Sequence, residues 1–314
     1  MSPDPAGTRP ARKMAFLGIL ALAASLFAAD PCRGEALFVQ DYELDEFVLG
    51  EQRTEIAIGY AGSSMFLDRR NRLTGQWMKR FFGEEKEERN TTHFLLDEEQ
   101  VREIDWRLGK VVVFPFDHLR NADWVGRRPE ERKMVEEFLA ERYEVVPPEF
   151  GLRVSPETET VNGYPCTRIL ADLRLETFDK KKNARSVTLV RQTLWVSEAV
   201  PGFSAYEAFH RRLAERMGLD AHRLGTLNLI LRYWEGPLDP IRDRLVRGRG
   251  YPVKHILTVT ARYVMNAGTE TERRVEREIR RETMELREAR PGPLDPARFE
   301  PPDDFPVHRV EAER

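Results

Sequence analysis

The stretch from Gly163 to Phe209 limits the possible folds of this chain more than any other. Residues Tyr164 to Phe178 and Ser186 to Val196 alternate apolar and polar side chains around a basic turn, Lys180-Lys181-Lys182-Asn183. Long segments of period two joined by a short polar turn read as paired antiparallel strands. Pro201-Gly202 stops the second strand soon after Trp195, and Ser204-Ala205-Tyr206-Glu207 then has capping-box spacing. In that motif the hydroxyl accepts from the backbone three residues on, and the carboxylate reaches back. The helix it opens, running to Met217, sets Tyr206, Phe209, Leu213 and Met217 on one side. Strands that deliver an amphipathic helix onto one sheet face predict a curved sheet holding helices in its hollow, a shape suited to something apolar.

The rest of the chain extends that sheet. Leu37 to Leu49 and Arg53 to Tyr60 read as opening strands, and Ser64 to Asp68 with Gln76 to Phe82 as a hairpin around Asn71 to Gly75. Gly83 to Asn90, almost all charged, reads as a solvated loop. Thr91 to Leu96, Val101 to Arg107 and Lys110 to Phe116 make a meander of short strands, in whose middle strand Ile104 and Trp106 share a face opposite Glu103 and Asp105. Pro129 to Tyr143 carries Met134, Val135, Phe138 and Leu139 at helical spacing, with Pro147-Pro148 as its stop. After Met217, Gly218 ends one helix and Asp220 starts a second that carries Leu224, Leu227, Ile230, Leu231 and Trp234, so a helical hairpin is expected. Tyr251 to Asn266 returns to strand. Thr271 to Glu288 has helical composition in a strand position, and its second half is assigned to strand. Phe299 and Phe305 are positioned to pin the Pro-rich tail to the body.

The N-terminus predicts the compartment. Arg9, Arg12 and Lys13 precede an apolar run from Met14 to Ala29, followed by Asp30-Pro31. A basic head, an apolar centre shorter than a membrane span and small residues match an export signal. Cleavage after Ala28 or Ala29, or as late as Ala36, fits, and an uncleaved anchor is the competing reading. The expected organisation is a signal peptide over 1–29, one β-sheet domain over 37–305 with helical insertions near 129–143 and 203–234, and a tail over 306–314. Cys32 and Cys166 are the only cysteines. They could pair if cleavage spares Cys32, although Asp30-Pro31 argues against lipid attachment there.

Charge narrows the partners. Lys and Arg number 50 and Asp and Glu 53, a net charge of -3, so no whole-protein attraction to nucleic acid is expected. There is no phosphate-cradling glycine loop, no Gly-x-Ser-x-Gly, no His-Glu-x-x-His and no Cys-x-x-Cys, and six histidines are scattered singly. No catalytic residue, metal ligand or cofactor is therefore assigned.

In order, Ile104-Asp105-Trp106-Arg107-Leu108-Gly109-Lys110, Asn162-Gly163-Tyr164-Pro165-Cys166, Leu194-Trp195-Val196-Ser197 and Arg298-Phe299-Glu300-Pro301-Pro302 resemble an uncharacterised family of bacterial secreted proteins. In architecture that family is similar to the periplasmic lipoprotein carriers LolA and LolB, whose half-barrel sheet wraps helices around an apolar cavity. The resemblance implies an α+β fold with a strongly curved antiparallel half-barrel and helices packed in its concave face. It also implies a soluble periplasmic protein that binds acyl chains, so the expected partner is a lipid or lipidated protein held in a cavity. The alternative is a filled core that docks another envelope protein. The chain is longer than the carriers, and no carrier residue matches it position by position. Trp77, Ile104, Trp106, Phe114, Trp195, Tyr206, Phe209 and Trp234 are the expected cavity lining.

Overall fold

In a computed structural model of the chain, the residues described are 34–47, 50–73, 87–117, 141–217, 249–266 and 268–310. They form one open sheet of twelve strands in the order β12-β6-β5-β4-β3-β2-β1-β11-β10-β9-β8-β7. The strands are β1 (Glu35–Glu46), β2 (Gly50–Ala61), β3 (Ser64–Leu73), β4 (Glu87–Leu95), β5 (Gln100–Asp105), β6 (Lys110–Pro115), β7 (Tyr143–Val161), β8 (Tyr164–Asp179), β9 (Ala184–Ser197), β10 (Tyr251–Met265), β11 (Arg273–Pro291) and β12 (Val307–Arg309). Every neighbouring pair is antiparallel except β12 with β6. One complete helix is described, α1 (Phe203–Met217). The sheet consists of two meanders, β1 to β6 and β7 to β11, joined where β1 pairs with β11.

Turn chemistry sets the hairpins. The Asp179 carboxylate accepts from the backbone of Lys181 and of Lys182, both at 3.1 Å, and Asn183 takes the left-handed φ of 46° that closes the basic turn. Arg142 bonds the other carboxylate oxygen at 2.9 Å, and that guanidinium, ahead of the turn amides, holds the Asp179 carboxyl below the ordinary range. At the β7–β8 turn Asn162 and Gly163 have φ of 51° and 82°, the backbone of a tight hairpin.

Four readings of the sequence change. β11 begins at Arg273, so the first half of Thr271 to Glu288 is strand almost throughout as well as the second, because its pairing with β1 and β10 overrides helical composition. Glu87 to Asn90, read as loop, belongs to β4. Its charges are matched across the ladder by Arg72 to Glu87 at 3.5 Å and Arg89 to Asp68 at 2.9 Å. Pro147-Pro148 does not end a helix but sits inside β7, where the register with β8 slips between Val146 and Glu149. β7 is an edge strand, so missing amide donors cost it little. Helix α1 starts at Phe203, one residue before the capping box, and the Glu207 carboxylate accepts from the Arg249 guanidinium. The proposed helix over 129–143 lies outside the described residues up to 140, with Tyr143 already in β7. The hairpin partner at 220–234 and the strand at 76–82 also lie outside them.

The main core lies where α1 meets the sheet, with Phe38, Tyr60, Met65, Phe203, Phe209, Tyr251 and Leu286 packed together. A second apolar cluster continues along β7 to β10 through Leu152, Ile169, Leu173, Val190, Leu194 and Leu257. On the opposite face of β1 to β6 the C-terminal segment crosses as a strap. Phe299, in the one-turn 3-10 helix Pro296–Phe299, meets Phe66 edge-on at 5.2 Å, and Phe305 meets Trp106 at 5.6 Å. β12 then lies beside β6, covering that sheet edge. Both aromatics picked out in the tail thus hold it down.

Gly202 has a φ of +84°, and a Cβ there would sit 2.5 Å from the Ala36 Cβ. Replacing Gly202 with alanine should cost about 2 kcal/mol through backbone strain and overlap with β1, seen as a lower urea midpoint with an unchanged slope.

Candidate binding groove

On the sheet face carrying α1, alternation along three strands builds a groove. Tyr60, Ile58, Ile56 and Thr54 of β2 face it, and register places Met65, Leu67, Arg69 and Asn71 of β3 opposite them. Gln40 and Tyr42 of β1 line the other side. Tyr206 and His210 of α1, with Tyr251 and Met284, close it over a volume of about 510 Å³. From Tyr60 to Thr54 the wall runs about 20 Å, six residues at strand rise.

The two ends differ chemically. At the helix end, Phe38 stacks on Tyr251 at 4.0 Å, Tyr60 meets Tyr206 at 5.8 Å and Phe209 at 5.5 Å, and Tyr206 meets His210 at 4.5 Å. The Tyr60 hydroxyl lies 3.1 Å from His210 Nε2, and Gln40 Nε2 donates to the Tyr251 hydroxyl at 2.7 Å. Burial raises the pKa of Tyr60 and of Tyr251 well above the ordinary value, neighbouring tyrosines adding to it. Burial and then Glu207 push Tyr206 up to about 12. These phenols are neutral at any physiological pH. At the far end the Thr54 hydroxyl donates to Asn71 at 2.7 Å, and the Tyr42 hydroxyl donates to Glu282 at 2.7 Å, which also accepts from Arg280 at 2.6 Å. Burial and then Glu282 raise the Tyr42 pKa. Arg69 is exposed near this end. The groove thus has an aromatic end, an aliphatic middle and a polar end.

The structure brings together only part of the expected lining. Tyr206 faces the groove, whereas Phe209, at 1% exposure, is core beneath the helix and not lining. Trp195 packs at the margin of that core, with its ring N–H donating to Glu159 at 3.0 Å. Phe114 stands opposite Val101 in the β5–β6 ladder, away from the groove residues. Ile104 and Trp106 do share a face, but it is the strap face: Ile104 packs with Val111 and Val113, and Trp106 lies under Phe305. Trp106 is held there by donating to the Thr91 hydroxyl at 2.8 Å and by the Arg89 guanidinium 3.9 Å over its ring. Trp77 and Trp234 lie outside the described residues. The residues that do line the groove, Thr54, Ile56, Ile58, Tyr60, Met65 and Leu67, were readable from alternation in β2 and β3. Only the choice of face was missing.

Cys166 is a free, fully buried thiol that donates to the Tyr164 carbonyl at 3.4 Å. Burial raises its pKa, so it stays protonated and unreactive. Among the described residues no group of three or more His, Cys, Asp or Glu could hold a metal ion, and no helix is long and apolar enough to cross a membrane. No protein-family profile matches this chain, and no curated protein matches it either.

Proposed function

We propose that this chain is a non-enzymatic envelope protein that binds the acyl chain of a lipid, or of a lipidated partner, in the groove beside α1. The finer architecture belongs to this reading: a sheet curved as a half-barrel, with α1 in the hollow, as in the lipoprotein carriers. So does export through the N-terminal signal over 1–29 to the periplasm. The observation that carries it is the polarity gradient along β2 and β3, from Tyr60 through Ile58 and Ile56 to Thr54 and Asn71. A one-ended polar groove of this size suits an amphiphile, and each methylene buried in it contributes about 0.8 kcal/mol.

Native mass spectrometry of gently purified protein, compared with a delipidated sample, should show an added mass in the former. A fluorescent fatty-acid probe should bind the latter, and Ile56→Arg, which sets a second guanidinium opposite Arg69 and beside the aliphatic middle, should weaken the probe at least about tenfold. Absence of both bound mass and probe binding sinks the carrier reading. N-terminal sequencing of the mature protein checks the export signal.

A second reading is favoured by the aromatic end, where Phe38, Tyr60, Phe209 and Tyr251 are almost wholly buried and already fill the space beneath α1. In that case the chain is a structural module that docks another envelope protein. In-cell cross-linking that repeatedly recovers one protein and no lipid selects it.

A further inference from the structure

The strap face carries a second cavity, of about 220 Å³, unconnected with the groove function. Four guanidiniums from three elements converge on it: Arg70 of β3, Arg287 and Arg290 of β11, and Arg298 of the strap. Its carboxylates are largely matched by close cations. Asp68 takes both nitrogens of Arg89 at 2.9 Å and the Thr91 hydroxyl at 3.0 Å. Glu288 pairs with Arg290 at 2.6 Å, and Glu55 with Arg287 at 2.7 Å, the latter shared with Asp41 at 3.2 Å. Among the described residues, the one carboxylate within ion-pair distance of Arg70 is the already satisfied Asp68, at 4.0 Å. Among the described residues, no carboxylate lies within ion-pair distance of Arg298.

Arg298 is nevertheless held in place. Its guanidinium lies 4.2 Å over the Phe66 ring, and its backbone amide donates to the Asp295 carbonyl at 3.0 Å within the 3-10 turn. Burial lowers its pKa below the ordinary arginine value, with Asp68 acting the other way and the like charges of Arg89, Arg290 and Arg70 adding to the lowering. A fixed guanidinium next to a second one with no carboxylate of its own, at a cavity with room for several waters, is a receptor for a compact, multiply charged acceptor. We propose that this cavity binds a phosphate-class oxyanion, gripped by Arg298 and Arg70, so that the anion ties the strap to β3. Free phosphate and the phosphate of a lipid headgroup share that chemistry.

The test titrates full-length protein with sodium phosphate against sodium chloride at equal ionic strength, reading the thermal midpoint. In parallel, vesicles of phosphatidic acid in phosphatidylcholine are compared with phosphatidylcholine alone in a flotation assay. The proposal expects a saturable rise with phosphate or selective flotation with phosphatidic acid. Either should weaken at least about tenfold in both Arg298→Gln and Arg70→Gln and survive in part in Arg298→Lys, which keeps the charge but loses the fork. A response to phosphate alone assigns the free ion, and a response to vesicles alone assigns the headgroup. Far-UV circular dichroism of the variants confirms folding. No saturable response in either arm, or an unchanged response in the folded glutamine variants, overturns the proposal.

Discussion

Phe38→Ala should destabilise the protein by about 3–5 kcal/mol, the usual cost of deleting a fully packed aromatic ring. Phe38 has no exposed surface, stacks on Tyr251 with 12° between the ring planes, and meets Tyr60 edge-on at 5.8 Å. It is therefore the centre post of the contact between β1, α1 and β10, and no neighbour is free to fill the void. Phe38→Leu keeps most of the volume and should cost less than half as much. Equilibrium urea unfolding measures both, and a loss below about 1 kcal/mol for the alanine variant would mean the aromatic cluster is not the packed unit described.

Acid should weaken the protein through His93. This side chain, 1% exposed on the strap face, has its pKa lowered to about 4, first by burial and then by the Arg102 charge, with the Arg298 backbone and Asp68 acting the other way. The unfolded state then binds a proton near pH 6.5 that the folded state refuses until about pH 4. The contribution of His93 is therefore complete above pH 6.5 and is lost progressively as pH falls to 4. At about 1.4 kcal/mol per pH unit the loss approaches 3 kcal/mol. His93→Gln cannot take up that proton, so its stability should change much less between pH 7 and pH 4.5. Equal slopes for wild type and variant would rule out His93 as the source. Because His93 faces the strap, the first element to loosen in acid should be the segment after Pro291, visible as early amide exchange.

The sequence made the strands legible wherever alternation was clean, as in β8, β9 and β10, and the tail anchors Phe299 and Phe305 stood out as lone aromatics in a Pro-rich stretch. It concealed β7. The prolines at 147, 148 and 156 and the surrounding charges imitate a loop, and the strand is tolerated only because it is an edge with interruptions in register. It likewise concealed the start of β4, since Glu87 and Arg89 look solvated until their partners Arg72 and Asp68 are placed across from them. The expected lining came together only in part, for a different reason. Ile104 and Trp106 do pack on one side of that meander, but both of its sides are buried, Val101 facing the core and Ile104 facing the strap. Period two names a face without saying which covering it meets, and only long-range pairing decides that.

The joint between the two meanders has a kinetic consequence. Within each half most successive strands are near neighbours in sequence, β9 and β10 being the widest apart, whereas Tyr42 and Glu282, bonded across the β1–β11 seam, are 240 residues apart. Loops of that length make the β1–β11 pairing late, as they do that of β12 with β6, so two half-sheets should form early and dock late, giving a slow phase sensitive to changes along β1 and β11. Until then both inner edges are bare ladders, which makes the half-docked species, rather than the finished sheet, the form most exposed to self-association.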